Sequence, residues 1–437
     1  MLLKIPHENT KELINRRCTF LLTKFKSLPK AVYVILALSF LLHVFCLVKQ
    51  PGLDGELVKV TYGANDAFNY SLTAEQLLKH GVFGYVYLEP SEVPGKNAYI
   101  TPGQPLLLAG AMIISDITSI PYYYVATVIN MIMNLCTVLL VFLIGKELFE
   151  KNIYGIVASI LYAIYPSNYT YFRTLLTEVP SIFLLALCVY VFVLAWKYNK
   201  VKFHIWFGIV VSILLMFRPN PAPMMLIPVL VVLFTYGFKD SIRIGLLWFI
   251  GPFFIIGAWV VRNYLALNQF ILFSTQGADP LIAGADPFNK IGYENIVNEM
   301  RAKGLDDKGA YAKELIKNGF KTDFTYWFSW FTVGKTIELF KTAPAVDQYR
   351  IHNFMQLCHR VFIIGTFLSS FCFMLNSFKH KRVMMLVASS IIYIIFSNLF
   401  LAINRYGFFI NPLMCLILAY GLIHIVQKLP FFRTNQA

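Results

Sequence analysis

The chain has 437 residues, 57% of them hydrophobic and only 14% charged, with a mean hydropathy of +0.61 and a net charge of +15. A globule of that composition would not stay in solution, whereas a protein that crosses a membrane many times has it routinely. The basic residues come in short clusters between apolar runs, which argues against nucleic acid as a partner and favours phospholipid headgroups and anionic, lipid-linked substrates.

In chain order, residues 1–30 form a basic segment ending in Pro29-Lys30, and the first apolar run spans Ala31 to about Val48. No small-residue cleavage site precedes Lys49-Gln-Pro-Gly, so a retained signal anchor is expected. A polar stretch follows, Gly63-Ala-Asn-Asp66-Ala-Phe-Asn-Tyr70, and a helix is predicted from Asp66 to about His80. The run from Pro105 to Ile114 is too short to span, and a helix lying in the interface is expected there. Further apolar runs occupy 121–145, 152–166, 179–196, 203–217, 222–237, 244–261, 358–376, 383–401 and 407–427, which with the first makes ten spans. With both termini in the cytoplasm, the connectors Lys146–Lys151, Lys197–Lys202, Lys239–Arg243 and Lys379–Arg382 all fall on the cytoplasmic side, as the positive-inside rule asks. Counting residues 105–114 as a span would put these clusters outside.

The expected fold is therefore an all-α polytopic bundle of about ten transmembrane helices with two large extracytoplasmic loops. Its parts are a cytoplasmic segment 1–30, a transmembrane module 31–264 that includes the first outer loop 49–120, a second outer loop region 265–357, and C-terminal transmembrane helices with a short cytoplasmic tail, 358–437. Amphipathic stretches near 292–303 and 308–318 predict helices in the second loop, whose Trp327 and Trp330 suit the membrane interface. The seven cysteines show no paired spacing, and neither a disulfide framework nor a thiolate metal site is read from them.

Acids are scarce where they would be costly. Between Lys151 and Asp240 the only carboxylate is Glu178, and there is none after Asp347. Glu178 follows Thr177 and precedes Val179-Pro180, where a span begins, so it also suits the first turn of a helix. Asp66 opens its own helix, where the dipole favours the anion, with Asn69 and Tyr70 on the same face. An acid so placed suits a base or a metal ligand; its bland alternative is an N-cap. Arg173, Arg218, Arg262 and Arg405 all sit at the outer ends of spans on the expected topology. Snorkelling to headgroups would explain any one of them, but a layer of guanidinium forks is also what a phosphate needs. No Walker loop, Gly-x-Gly-x-x-Gly or metal-binding His/Cys pattern is present, so an activated substrate would be supplied by the membrane.

These residues resemble the GT-C membrane glycosyltransferases, in the bacterial branch related to protein mannosyltransferases and to the lipid A aminoarabinose transferase. The pieces are Asp66-Ala-Phe-Asn-Tyr70 with Gly81, Thr101-Pro-Gly-Gln-Pro105, Thr177-Glu178, Arg218-Pro219, Trp259-Val-Val-Arg262-Asn-Tyr264, Ser274-Thr-Gln-Gly277, Arg405-Tyr406 and Pro412. The resemblance implies transfer of a sugar from a polyprenyl-phosphate carrier to a lipid, glycan or protein acceptor on the outer face of a bacterial plasma membrane. It implies Asp66 as the general base or the residue that holds the acceptor, and Glu178 as a second catalytic acid that helps position substrate or a divalent cation. Tyr70, Arg173, Arg218, Arg262, Asn263, Arg405 and Tyr406 become substrate-binding candidates. No cofactor is certain; a divalent metal cation could be held by Asp66 and Glu178. Two departures are plain: Gln104 stands where some relatives carry lysine, and Asn65 where many carry a second acid. A polysaccharide polymerase or ligase, and a transporter or flippase for a lipid-linked glycan, are the competing readings.

Overall fold

The structure is a computed structural model that describes residues 28–49, 64–84, 95–347 and 349–428. Most of the basic segment 1–30, much of the first outer loop, Cys18 and the end of the C-terminal tail lie outside the described residues. Within them every element is helical: α1 (Lys30–Lys49), α2 (Ala64–His80), α3 (Gly103–Thr118), α4 (Tyr122–Phe149), α5 (Asn152–Ala163), α6 (Glu178–Tyr198), α7 (Val201–Phe217), α8 (Leu226–Gly251) and α9 (Gly257–Leu267). The second loop region adds α10 (Ala278–Gly284), α11 (Tyr293–Ala302), α12 (Lys308–Thr322) and two shorter helices, Phe324–Ser329 and Lys335–Phe340. The chain closes with α13 (His352–Met374), α14 (Lys381–Ser397) and α15 (Asn411–Lys428).

Among the described residues six helical stretches are long and apolar enough to cross a membrane, and the chain is a multi-pass membrane protein. They carry seven of the ten expected runs. Two of those, 222–237 and 244–261, lie in one continuous stretch, Ala222–Leu267, broken at Gly237 (φ 79°). The other three fall on shorter helices: 152–166 on α5, 203–217 on α7 and 383–401 on α14. Helix α5 stops at Ala163, three residues before Pro166, which has no N–H to continue the ladder. The run at 105–114 forms α3, which buries Gly103, Gln104, Pro105, Leu108 and Ala111 and exposes Ile113, Ile114 and Ile117.

Helix sequence decides which helices are central. α6 is apolar all round, as a helix enclosed by neighbours must be, and it buries residues on every face along with most of α15. α1, α8 and α13 instead expose a full apolar side, including Leu38, Leu41, Phe234, Phe249, Val361 and Leu368, the side that meets lipid. Close crossings use glycine. A Cβ on Gly208 of α7 would lie 2.1 Å from the Trp248 carbonyl oxygen, and one on Gly251 of α8 2.2 Å from that of Gly208, so these two backbones touch.

A second, small core lies in the second loop region, where Ile282, Ile296, Met300 and Tyr311 from α10, α11 and α12 close on one another. The helices expected near 292–303 and 308–318 are α11 and α12. A clamp joins this lobe to the first loop. Tyr99 donates to Asp279, and so do Tyr293 (2.8 Å) and Lys308 (2.6 Å). Burial pushes the Asp279 carboxyl up, but those three donors outweigh it and hold the group below the usual carboxylate range. A depressed acid contributes stability at any pH above its unfolded value of about 3.9 and loses it as the pH falls through the folded value. Hydrogen exchange in residues 278–322 should therefore accelerate below about pH 4. Asp279→Asn should show the faster exchange already at neutral pH.

Candidate active site

Four chain segments converge at one end of the bundle. Asp66 lies in the first turn of α2 and Glu178 is the first residue of α6; Arg218 follows the last residue of α7, and Arg405 sits in a single helical turn, Asn404–Gly407, before α15. Glu178, 1% exposed, is the centre of the group. Its Oε1 accepts from Nη2 of Arg218 (2.5 Å) and from Nε of Arg405. Nη1 of Arg405 donates to Oδ2 of Asp66 at 3.0 Å, so Arg405 bridges two acids that lie 112 positions apart in sequence. Nε of Arg218 donates to the Thr177 hydroxyl (2.9 Å), and its guanidinium sits 5.7 Å from the centre of the Tyr406 ring. Two carboxylates and two guanidiniums cancel. In surroundings of low dielectric such a group persists because each charge meets an opposite one within hydrogen-bond distance.

Three of the four charges line a chamber of about 370 Å³ whose wall includes Asp66, Tyr70, Gln104, Arg218, Arg405 and Tyr406, with Glu178 buried behind it. Asp66 is a third exposed, far more than Glu178. Nη1 of Arg218 and Nη2 of Arg405 make no hydrogen bond among the described residues, so both arginines keep donors to spare. One side of the chamber is the segment 273–280, stitched to the first loop by Thr275 N–H to Ala98 (2.9 Å) and Gln276 N–H to Tyr99 (3.1 Å). Gln104 is fixed by its amide N–H to the Leu175 carbonyl (2.7 Å). Tyr393 steadies the Arg405 turn by donating to the Tyr406 carbonyl at 2.9 Å.

The other candidates lie elsewhere. Arg262 donates to the carbonyls of Phe83 and Asn97, both at 2.8 Å, and to the Asn263 side chain, while packing on Phe83 and Trp259. It holds the first loop in place. Asn263 is fully buried and donates to Ile271 (3.1 Å). Arg173, also buried, donates to the Tyr169 carbonyl (3.3 Å) and does not line the chamber.

A resident metal does not fit the described residues. No three His, Cys, Asp or Glu side chains come together among them, and the acids of the chamber face guanidiniums, whose charge opposes a divalent cation.

Beside the chamber, and sharing Phe217 with it, lies a larger apolar groove of about 1000 Å³. Leu106, Val261 and Leu265 on its walls are each more than half exposed, so it opens to the side. Gly103 lets the wall close: a Cβ there would lie 2.6 Å from the Phe217 ring. Lys96 lines this groove and carries no ion pair or hydrogen bond among the described residues. Sequence reasoning singled out neither Lys96 nor Phe217. Both sit in unremarkable local sequence and gain meaning only from the cavities.

Archaeoglobus fulgidus oligosaccharyltransferase in its apo form superposes on 93% of this chain, and 52% of its own, with a TM-score of 0.55 at 15% identity. The chain has the GT-C fold. The archaeal oligosaccharyltransferase AglB from the same organism, in complex with an inhibitory peptide and a dolichol-phosphate, gives a TM-score of 0.54 at 17% identity over 93% of this chain and 51% of that one. The chain thus spans about half the length of those proteins. ArnT from Cupriavidus metallidurans, bound to undecaprenyl phosphate, overlaps more loosely (TM-score 0.41, 10% identity, 91% and 80% coverage), and the assignment does not rest on it. Residues 103–261 match the dolichyl-phosphate-mannose-protein mannosyltransferase family. That segment contains Glu178 and Arg218, while Asp66 and Arg405 lie outside it. No curated protein is a significant match.

Proposed function

We propose that the chain is a membrane glycosyltransferase that moves a sugar from a polyprenyl-phosphate carrier to an acceptor hydroxyl or amine on the extracytoplasmic face, with inversion. The observation that carries this reading is Arg405 on the chamber wall, bridging Asp66 on the same wall to Glu178 buried behind it. The matched family is described by a dolichyl-phosphate-mannose donor and AglB has been solved with a dolichol-phosphate; both support a lipid-phosphate donor.

In this reaction the acceptor oxygen or nitrogen forms a bond to the anomeric carbon as the bond from that carbon to the phosphate oxygen breaks. The bonding pair leaves with polyprenyl phosphate, and the acceptor proton passes to Asp66. Asp66 suits the base because it is the more open acid and keeps Oδ1 clear of Arg405. Glu178 serves as the positioning residue that aims both arginines. Their spare N–H groups meet the negative charge that grows on the leaving phosphate, in a site already organised to receive it. The isoprenoid chain lies in the apolar groove, entering from lipid past Leu106 and Leu265. The chamber charges already cancel, so Lys96 supplies the counter-charge for the carrier phosphate. Lys96→Ala should raise KM for the donor by about tenfold, the worth of one charge-assisted contact, and leave kcat little changed.

The deciding experiment is transfer in proteoliposomes with a panel of polyprenyl-phosphate sugars, following both released polyprenyl phosphate and the anomeric configuration of the product. Release with inversion supports the proposal. Movement of lipid-linked glycan across the bilayer with no bond made would replace it with the flippase reading. Lengthening of a glycan chain without loss on Asp66 substitution would favour the polymerase or ligase.

A further inference from the structure

Between α12 and α13 the chain runs as helix Phe324–Ser329, one π-turn at Trp330–Gly334, and helix Lys335–Phe340. Its two faces differ sharply. Trp330, Lys335 and Leu339 are 2%, 0% and 1% exposed, whereas Phe324, Phe328, Val333 and Ile337 are 62%, 51%, 61% and 55% exposed. The exposed apolar positions are spaced by four, five and four residues, and the buried ones by five and four. A step of five would carry a side chain well round an α-helix, but a π-turn takes one more residue per turn and keeps the step on the same face. The π-turn thus preserves one unbroken apolar stripe along the whole segment. Of the two tryptophans expected at the interface, Trp330 points inward and donates to the Gly284 carbonyl (3.2 Å), and Trp327 stacks on Phe331. The interface candidates are their exposed neighbours.

The buried face fixes where the stripe lies. The Lys335 ammonium donates to the Phe400 carbonyl (2.8 Å), and Asn398 donates to the Thr332 carbonyl (3.2 Å) and the Thr336 hydroxyl (2.9 Å). Residues 398–400 directly follow α14, so the segment is bolted to the end of the bundle. Soon after it, α13 begins and exposes Phe354, Leu357, Val361, Ile364 and Leu368, a lipid-facing row. Lys317 and Lys321, both exposed, stand in the last turns of α12 just ahead of Phe324.

We propose that the Phe324, Phe328, Val333 and Ile337 stripe is embedded in the leaflet that the chamber faces, seating the second-loop lobe on the membrane surface. The occupant is lipid because the stripe is continuous with the lipid-facing side of α13, its two phenylalanines are flanked by lysines suited to anionic headgroups, and its axis is pinned where a spanning helix ends. The seat has a mechanical link to the site: Phe400, held by Lys335, is part of the chamber wall. Depth in such a position is about 5–10 Å below the headgroups.

The test is spin-label accessibility in proteoliposomes, with the exposed Cys358 and Cys372 replaced by serine. Single labels go on Phe324→Cys, Phe328→Cys, Val333→Cys and Ile337→Cys, with Lys313→Cys and Glu314→Cys on the exposed side of α12 as controls. All these sites are on the surface, so the labels displace no core side chain. The ratio of oxygen to nickel-chelate collision should be several-fold higher at all four stripe positions than at the controls. Nickel-chelate access at Val333 and Ile337 equal to that at Lys313 would place the stripe in water and overturn the proposal. Shielding from both reagents would also overturn it, because a protein partner or a second copy would then cover the stripe. Neither outcome depends on sugar transfer, so the test stands apart from the proposed reaction.

Discussion

Asp66→Asn is expected to lower sugar transfer by a factor of about 10²–10⁴, the usual contribution of a positioned general base. The amide keeps an oxygen for Arg405, so the turn at Asn404–Gly407 should hold and the protein should elute from size exclusion as the wild type does. What changes is the charge. Without the Asp66 carboxylate the chamber gains one net positive charge, and a phosphate should bind at least as tightly as before. The expected pattern is therefore a large fall in kcat with an unchanged or lower KM for the donor, opposite to that of Lys96→Ala. Measured kcat within threefold of wild type would remove Asp66 from the chemistry.

Glu178→Gln should act first on folding. In the wild type one nearly inaccessible carboxylate oxygen serves two guanidiniums whose side chains are only 11% and 16% exposed. Neutralising it leaves two like charges facing each other with Asp66 as their sole acid. Breaking a buried charged group in this way costs about 3–5 kcal/mol, since the partners remain and cannot be solvated. A thermal unfolding scan in detergent should show a fall of several degrees, and transfer should fall with it. The double variant Glu178→Gln/Arg218→Gln, which removes one of the stranded charges, should recover part of the lost stability. If both variants melt together well below the wild type, the loss is one of packing and not of charge.

Much of this is legible in the sequence. Apolar runs predict where the helices long and apolar enough to cross a membrane lie among the described residues, because lipid demands a closed backbone ladder and an apolar surface together. Glu178 stands out by scarcity, and Asp66 by opening a helix in the polar stretch after the first span. The arginines were harder. Arg218, Arg262 and Arg405 each end or precede a span with polar or aromatic neighbours, and nothing local separates them. They part only in what they face: carboxylates for Arg218 and Arg405, backbone carbonyls of Phe83 and Asn97 for Arg262. Lys335 went unnoticed because a lysine among aromatics reads as an exposed interfacial residue, and the π-turn that rotates it inward has no signature in composition. The Asp279 clamp joins two loops 180 positions apart, and such pairings leave no periodic trace.

The span of sequence across the Asp66–Arg405 bridge, 339 positions, bears on how the protein is made. At about 5–20 residues per second, the arginine emerges from the ribosome roughly tens of seconds after the acid it will meet. Glu178 meets its first partner early, since Arg218 follows it by only 40 positions, but it and Asp66 wait for Arg405, 227 and 339 positions on. The four-charge group is complete only once Arg405 has joined it. Its charges balance only after the Arg405 turn has been made and packed, 227 positions beyond Glu178.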